Sequence, residues 1–318
     1  MGVGVAFPRS QFTLANSDIV CVPDSKVGGW GENGKPWKDR QPATPVVEES
    51  QNAIVARKTL QSVSLPFKMV WRGFGAFFTA FRAIWIPPPV FKKVDSPWDL
   101  AKNRVNSIIC LRLRPKAATE DDALDFLVAT YHMPCQFWEP ATMSIHTLIC
   151  LQLLQQFSEG KYPSILAGDF NFKPNSPQYA LTTTGTLPPT VVDPNDPEVN
   201  GKASLPAEPL YPNDPFAFQL PRGPMKSAYA VVQGREPPFT NHAMAANQTK
   251  VFSETLDYIF FKDGEKFKGK KTTLTPVNVL DLSSTCGTIR DKNVKSLPNE
   301  TESSDHLLIA ADFVVEAT

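Results

Sequence analysis

Apolar residues recur along this chain in two rhythms. Strand-like runs, alternating or continuously apolar, fall at Gly2 to Phe7, Phe12 to Val22, Val105 to Arg112, Ala123 to Thr130 and Ser164 to Ala167. They return at Thr255 to Phe261, Thr272 to Leu280 and Leu307 to Val315, and short apolar runs bounded by turn residues predict strands. Pro8 to Gln11 predicts a hairpin turn between the first two runs. A 3.6-residue rhythm links Met143, Ile145, Leu148, Ile149, Leu151, Leu154 and Phe157 in a helix of about four turns, and a short helix precedes Asn103. Trp71, Phe74, Phe77, Phe78, Phe81 and Trp85 repeat as on a helical face that packs onto a core. Strand, helix and strand in succession predict layered α and β packing.

Length and composition narrow the class. The chain of 318 residues is 42% hydrophobic, enough for a substantial core, and reads as a single domain over 1–318. Residues 26–96 read as an insertion, and 186–224, which hold ten prolines, as an irregular proline-rich loop. Lys plus Arg balances Asp plus Glu at 32 each, so any polyanion site must be local. The five cysteines include no C-x-x-C pair, which argues against a disulfide framework or a zinc site. No signal-like leader opens the sequence, and the apolar stretch from Gly73 is ended by Pro87, short of the roughly 20 residues a membrane span requires. A soluble chain of the cytoplasm or nucleus is expected, with neither a membrane nor an obligate protein partner.

Four segments set acids, amides and imidazoles beside apolar strands. They are Thr130-Tyr131-His132-Met133, Gly168-Asp169-Phe170-Asn171, Leu256-Asp257-Tyr258-Ile259 and Ser304-Asp305-His306. Asp169 and Asn171, two apart, project to one face of an extended backbone. Asp257 would be costly to bury alone, and a hydrogen bond to His306 would satisfy it while raising the basicity of that imidazole. Each segment alone reads more readily as an Asx-type turn or a cap than as a site. Their shared position at strand ends is the stronger signal. His146, in mid-helix, and His242, in a polar turn, read as structural. Lys262, Lys266, Lys268, Lys270 and Lys271 read as a solvated hairpin tip before a phosphate site.

With these four segments on one chain, the sequence resembles the endonuclease/exonuclease/phosphatase superfamily. The resemblance covers Gly2 to Val22 and Asn103 to Val315. Met225 to Tyr229, Glu236 to Asn241, Thr255 to Phe260 and Leu297-Pro298-Asn299 resemble the branch of catabolite-repressor-type deadenylases, nocturnin and angel proteins. It implies an α/β (α+β) fold, a four-layer α/β/β/α sandwich of two mostly antiparallel sheets. It also implies a magnesium-dependent phosphodiesterase, with manganese as a substitute ion, acting on the 3′ ends of single-stranded RNA or on small nucleotides.

On that resemblance His306 activates water, Asp257 orients His306, and Asp169 with Asn171 positions nucleophile and phosphate. His132 stabilises phosphoryl oxygens, and Asp169 and Asp305 support the metal. Asn171, Asn241 and Phe252 bind substrate, Phe252 by stacking on a base, while Phe137 and Trp138 read as core or rim packing before an opposing wall of the cleft. Thr130 stands where the family often has Asn. Two family strands bearing an Asn and the principal metal-binding Glu have no counterpart before Gly2, so the expected sandwich lacks its first strands. The alternatives are an impaired, truncated homologue that binds RNA or protein, and a nucleotide 2′-phosphatase.

Overall fold

The computed structural model describes residues 3–22, 97–119, 124–186, 223–244, 250–267, 269–292, 294–300 and 302–318, all in one unit of the chain. The expected aromatic helix, the 26–96 insertion and residues 187–222 of the proline-rich loop lie outside them. The strands are β1 (Phe12–Cys21), β2 (Ser107–Pro115), β3 (Phe126–Tyr131), β4 (Ser164–Asp169), β5 (Lys226–Ser227) and β6 (Asn241–Ala243), then β7 (Phe252–Glu254), β8 (Asp257–Lys262), β9 (Lys266–Phe267), β10 (Lys270–Val279) and β11 (Ala311–Ala317). The helices are α1 (Pro97–Lys102), α2 (Pro140–Ser158), α3 (Pro177–Thr184), α4 (Ala228–Gln233) and α5 (Ser283–Asp291).

Six strands form one sheet in the order β1-β2-β3-β4-β8-β5. Its ladders are antiparallel except β3 with β4, which run parallel across the α2 crossover. Alternation sorts its side chains. Ile108, Cys110, Leu127, Ala129, Tyr131, Leu166, Tyr258 and Phe260 turn to the face where Met143, Ile149, Cys150 and Leu153 of α2 pack. Ile165, Ala167, Ile259 and Phe261 turn to the other face, against Leu274 and Val279 of β10 and Phe313 and Val315 of β11. The second layer is antiparallel too: β11-β10-β9 as one sheet and β6-β7 as another. Beyond it, α5 buries Cys286 and Ile289 with Phe239, Leu282 and Leu297, and half-buried Ile309 contributes to both this cluster and the inter-sheet one. The expected α/β/β/α order is thus present.

One expected strand does not form. Residues 3–8 join no ladder, although Val5 and Phe7 still pack on Leu111, Leu113 and Phe126. The turn at Pro8 is there, with Gln11 and Phe12 N–H donating to its carbonyl at 3.0 and 3.1 Å. β1 takes β2 as its ladder partner instead of a hairpin arm. Glycine at 2 and 4 weakens the strand preference of this segment, and Pro8 cannot donate.

Two glycines illustrate opposite requirements. A Cβ at Gly168 would run into the backbone carbonyl of Tyr131, so the close approach of β3 and β4 at this end demands glycine. Gly287 in α5 has open space around it. Gly168→Ala should therefore cost at least about 1–3 kcal/mol, the usual cost of overpacking. Gly287→Ala should add about 0.5–1 kcal/mol through helix propensity. Urea unfolding of both variants measures the contrast.

Candidate active site

The candidate site residues emerge at one end of the six-stranded sheet. β3 and β4 run parallel, so His132, just after Tyr131, and Asp169, the last residue of β4, arrive together. β8 runs antiparallel to β4 and starts there, in a register that sets Asp257 opposite Asp169. The backbone locks this end: Met133 N–H donates to the Asp169 carbonyl at 2.9 Å and Phe170 N–H to the Leu256 carbonyl at 2.8 Å.

The turn 168–172 follows the expected two-residue spacing. Phe170 and Phe172 point down into an aromatic cluster with Tyr258, Tyr179 and Phe260, in which Tyr258 and Phe260 stack at 5.0 Å. Asp169 and Asn171 remain half-exposed on the site side. Asn171 has a left-handed backbone, φ 51°, which Asn tolerates better than most residues. Its N–H donates to Asp169 Oδ1 at 2.9 Å, and its side-chain amide donates to the Met133 carbonyl at 2.9 Å. The turn is an Asx-type loop whose carboxylate keeps its other oxygen turned toward the site.

That oxygen, Asp169 Oδ2, lies 3.3 Å from His132 Nε2 and 3.9 Å from His306 Nε2. The other ring nitrogen of His306, Nδ1, is 2.8 Å from Asp257 Oδ2, the pairing expected from the sequence. The Asp257 hydrogen bond, outweighing partial burial, raises the His306 pKa to about 9. His132 is raised as well, through its hydrogen bond to Asp169.

Two contributors escaped the sequence reading. Thr240 Oγ1 donates to Asp257 Oδ2 at 2.7 Å and accepts the N–H groups of Leu256 and Asp257 at 2.9 and 3.0 Å, which uses the hydroxyl fully. Asn106 donates its side-chain amide to the His132 carbonyl at 2.7 Å. Thr240 sits inside the Glu236 to Asn241 motif. Its signal was a hydroxyl in a turn, which usually means only a cap.

Other expected residues sit at the margin. Asp305 holds its carboxylate 3.5 Å from the Asn241 amide. Asn241 bridges His306 by backbone pairing. Phe252 is exposed on β7, with the Lys173 ammonium 5.7 Å from its ring centre and bound to Glu254 at 2.8 Å. Lys262 pairs with Ser164, at the end of β4 and β8 opposite Asp169 and Asp257, so this lysine lies away from the site. His146 and His242 are structural. His146 joins the Tyr131 hydroxyl at 2.7 Å to the Ala101 carbonyl at 3.0 Å, and burial lowers its pKa to about 4. His242 lies between Ser253 and the Val294 carbonyl.

A model of the endonuclease/exonuclease/phosphatase family matches residues 29–306. The chain belongs to this family. It is 28% identical over 240 residues to carbon catabolite repressor protein 4 homolog 1 of Arabidopsis thaliana, an alignment covering 71% of this chain and 36% of the relative. The chain thus spans little more than a third of that protein's length. Among solved structures, the human nocturnin catalytic domain aligns over 67% of this chain and 54% of its own, at 22% identity and a TM-score of 0.39. ANGEL2, a 2′,3′-cyclic phosphatase, aligns over 67% and 62%, at 20% identity and a TM-score of 0.45.

Asp169, Asp257 and His306 offer ligand atoms within 4.8 Å of one another, the spacing of a metal site. Both carboxylates are already engaged within the protein, Asp257 Oδ2 by His306 and Thr240 and Asp169 Oδ2 by His132 and the Asn171 amide, the latter two each at 3.3 Å. A divalent cation at Asp169 would share that oxygen with these donors and would take its other oxygens from water and phosphate. Asp305 lies outside the cluster.

The raised His306 pKa has a measurable signature. The stabilisation from this pair is fully present below the unfolded value near 6.5 and is lost as pH rises through about 9. NMR titration should place this imidazole near 9 and show Asp257→Asn returning it toward 6.5. Thr240→Val should also lower it, while Thr240→Ser should not. An unchanged His306 titration in Thr240→Val would deny Thr240 its orienting role.

Proposed function

We propose that the chain is a divalent-metal-dependent phosphoric ester hydrolase of the deadenylase-like branch, acting on 3′ ends of single-stranded RNA or on small nucleotides. One observation carries the reading: His306 is held through Nδ1 by Asp257, and its Nε2 faces the Asp169 carboxylate across 3.9 Å. A water beside this pair would be within hydrogen-bond reach of both its proton acceptor and an anchoring carboxylate.

In the proposed step the water oxygen attacks phosphorus as its proton passes to His306 Nε2. The P–O bond to the leaving oxygen breaks with its electron pair, and that oxygen takes a proton from solvent. Asp257 stabilises the imidazolium as it forms, and Thr240 keeps Asp257 in place. His132, whose pKa the hydrogen bond to Asp169 raises, donates to a non-bridging phosphoryl oxygen. Asn171 holds the Asp169 turn. Magnesium, or manganese, bound at Asp169 would polarise the phosphoryl group and acidify bound water. Phe252, with its exposed ring, stacks on a base of the substrate.

A second reading, a module that binds RNA without turnover, draws on the same geometry. In the cluster of three metal-capable groups found among the described residues, two are already bonded to each other. Substrate panels separate the readings. Oligoadenylate, a 2′-phosphorylated nucleotide and a simple phosphodiester should be tested with magnesium, with manganese and with EDTA. Metal-dependent release that Asp169→Ala and His306→Ala each abolish, without loss of melting temperature, supports hydrolysis. Wild-type rates in Asp169→Ala overturn it, and oligonucleotide binding without release supports the module.

The direction of pH dependence follows. With a His306 pKa of about 9, only about 1% of the imidazole is the neutral base at pH 7. Hydrolysis should therefore climb with pH up to about 9, and Asp257→Asn should lower the rate while moving the limb toward acid. A pH-rate profile tests both.

A further inference from the structure

A further acid is joined to the aromatic floor of the site and takes no part in the chemistry above. Glu236 opens the segment that runs to Thr240 and Asn241, and its Oε1 accepts the Tyr179 hydroxyl at 2.7 Å. Burial, and next the carboxylate itself, raise the Tyr179 pKa, so the phenol stays a donor. The second oxygen, Oε2, is buried and has no hydrogen-bond partner among the described residues, and burial pushes the Glu236 carboxyl up. A carboxylate with one oxygen unmet costs stability that an apolar contact in its place would not. What it supplies instead is a fixed direction.

That direction matters because the contacts close on themselves. Tyr179, on α3, packs its ring against Tyr258 at 5.5 Å between centres. The Tyr258 hydroxyl lies 3.0 Å from the Thr255 carbonyl and 2.8 Å from the Phe172 carbonyl. Thr255 Oγ1 donates to the Pro237 carbonyl at 2.6 Å, and Pro237 follows Glu236. Two branches leave this circuit for the site. One passes through Phe172, whose neighbour Asn171 donates its N–H to Asp169 Oδ1. The other follows the 236–240 segment to Thr240, which binds Asp257 Oδ2 at 2.7 Å. The Tyr179–Glu236 hydrogen bond is thus a polar link between the segment that follows the Asp169 turn and the segment that holds Asp257.

We propose that Glu236 is a positioning residue for the site. Through Tyr179 and Tyr258 it fixes the Asp169 turn, and through Pro237, Thr255 and Thr240 it fixes Asp257 and with it His306. The assignment rests on the hydrolase reading and adds a residue to it. Its claim about His306 can be read without substrate.

The test uses three variants of the full chain. Tyr179→Phe keeps the ring and removes the donor, Glu236→Leu removes the acceptor, and Glu236→Gln keeps a carbonyl that can accept. The NMR signal of the His306 Nδ1 proton, held by Asp257, reports the outcome. It should move upfield or be lost to exchange in Tyr179→Phe and Glu236→Leu, and return in Glu236→Gln. On a phosphodiester that the wild type cleaves, the first two variants should lower kcat about five- to tenfold, the worth of one hydrogen bond, with KM little changed. Leu113→Ala, a core truncation where β2 meets Phe126 at the other end of β3 from His132, controls for lost stability and should leave the signal in place. A signal unchanged in Tyr179→Phe and Glu236→Leu, even at a lowered melting temperature, makes the pair purely structural and overturns the assignment. A change that Leu113→Ala reproduces, or that Glu236→Gln fails to reverse, overturns it too. If Glu236→Leu does not fold, Tyr179→Phe decides alone. The expected signal changes in a chain that hydrolyses no ester keep the positioning role and remove the hydrolase reading. Metal-dependent hydrolysis with the signal unchanged throughout does the reverse.

Discussion

Two carboxylates stand opposite each other where β4 ends and β8 begins, and the architecture around them answers that repulsion. The antiparallel register sets Asp169 against Asp257, and like charges placed across a ladder destabilise it. Each carboxylate has its own imidazole and its own fixed donors: His132 and Asn171 for Asp169, His306 and Thr240 for Asp257. The two sets meet at His306, whose second nitrogen looks back toward Asp169. Reactivity and charge compensation are the same arrangement.

The arrangement depends on a rigid floor. Alternation along β4 and β8 sends Tyr258 and Phe260 to the helical side, where Phe170 and Phe172 from the reactive turn join them. The turn is therefore tethered by two aromatic anchors that alternate with its two candidate site residues, in the order Asp169, Phe170, Asn171, Phe172. Tyr258 adds a hydroxyl within 2.8 Å of the Phe172 carbonyl, so a core residue also fixes the backbone of the loop above it. α2, buried along almost its whole length, closes the floor.

Much of this was legible in the sequence where period and chemistry agreed. Asp169 and Asn171 share a face because of a two-residue spacing, and Asp257 with His306 pair because a buried acid needs a donor. The strands of the sheet beneath them were visible as apolar runs, with ends displaced by a few residues: Val105 to Arg112 became Ser107–Pro115, and Thr255 to Phe261 became Asp257–Lys262. The helices α3, α4 and α5 were not anticipated, since they are short and their cap residues resemble ordinary turns. Thr240 was invisible for a different reason. Its role comes from tertiary approach to Asp257, seventeen residues on, and no local pattern encodes that. The segment before Pro8 misled because alternation predicts which side chains are buried, and here they are partly buried without a ladder.

The buried bridge from Tyr131 through His146 to Ala101 has a consequence of its own. Its imidazole stays neutral in the folded chain down to about pH 4, whereas in the unfolded chain it takes up a proton below about 6.5. Folding stability therefore drains away as the medium is acidified across that interval. Because Tyr131 adjoins His132, acid loosening of this bridge would begin directly beneath the reactive end of β3. The acid-sensitive bridge thus lies under the strand end that carries His132.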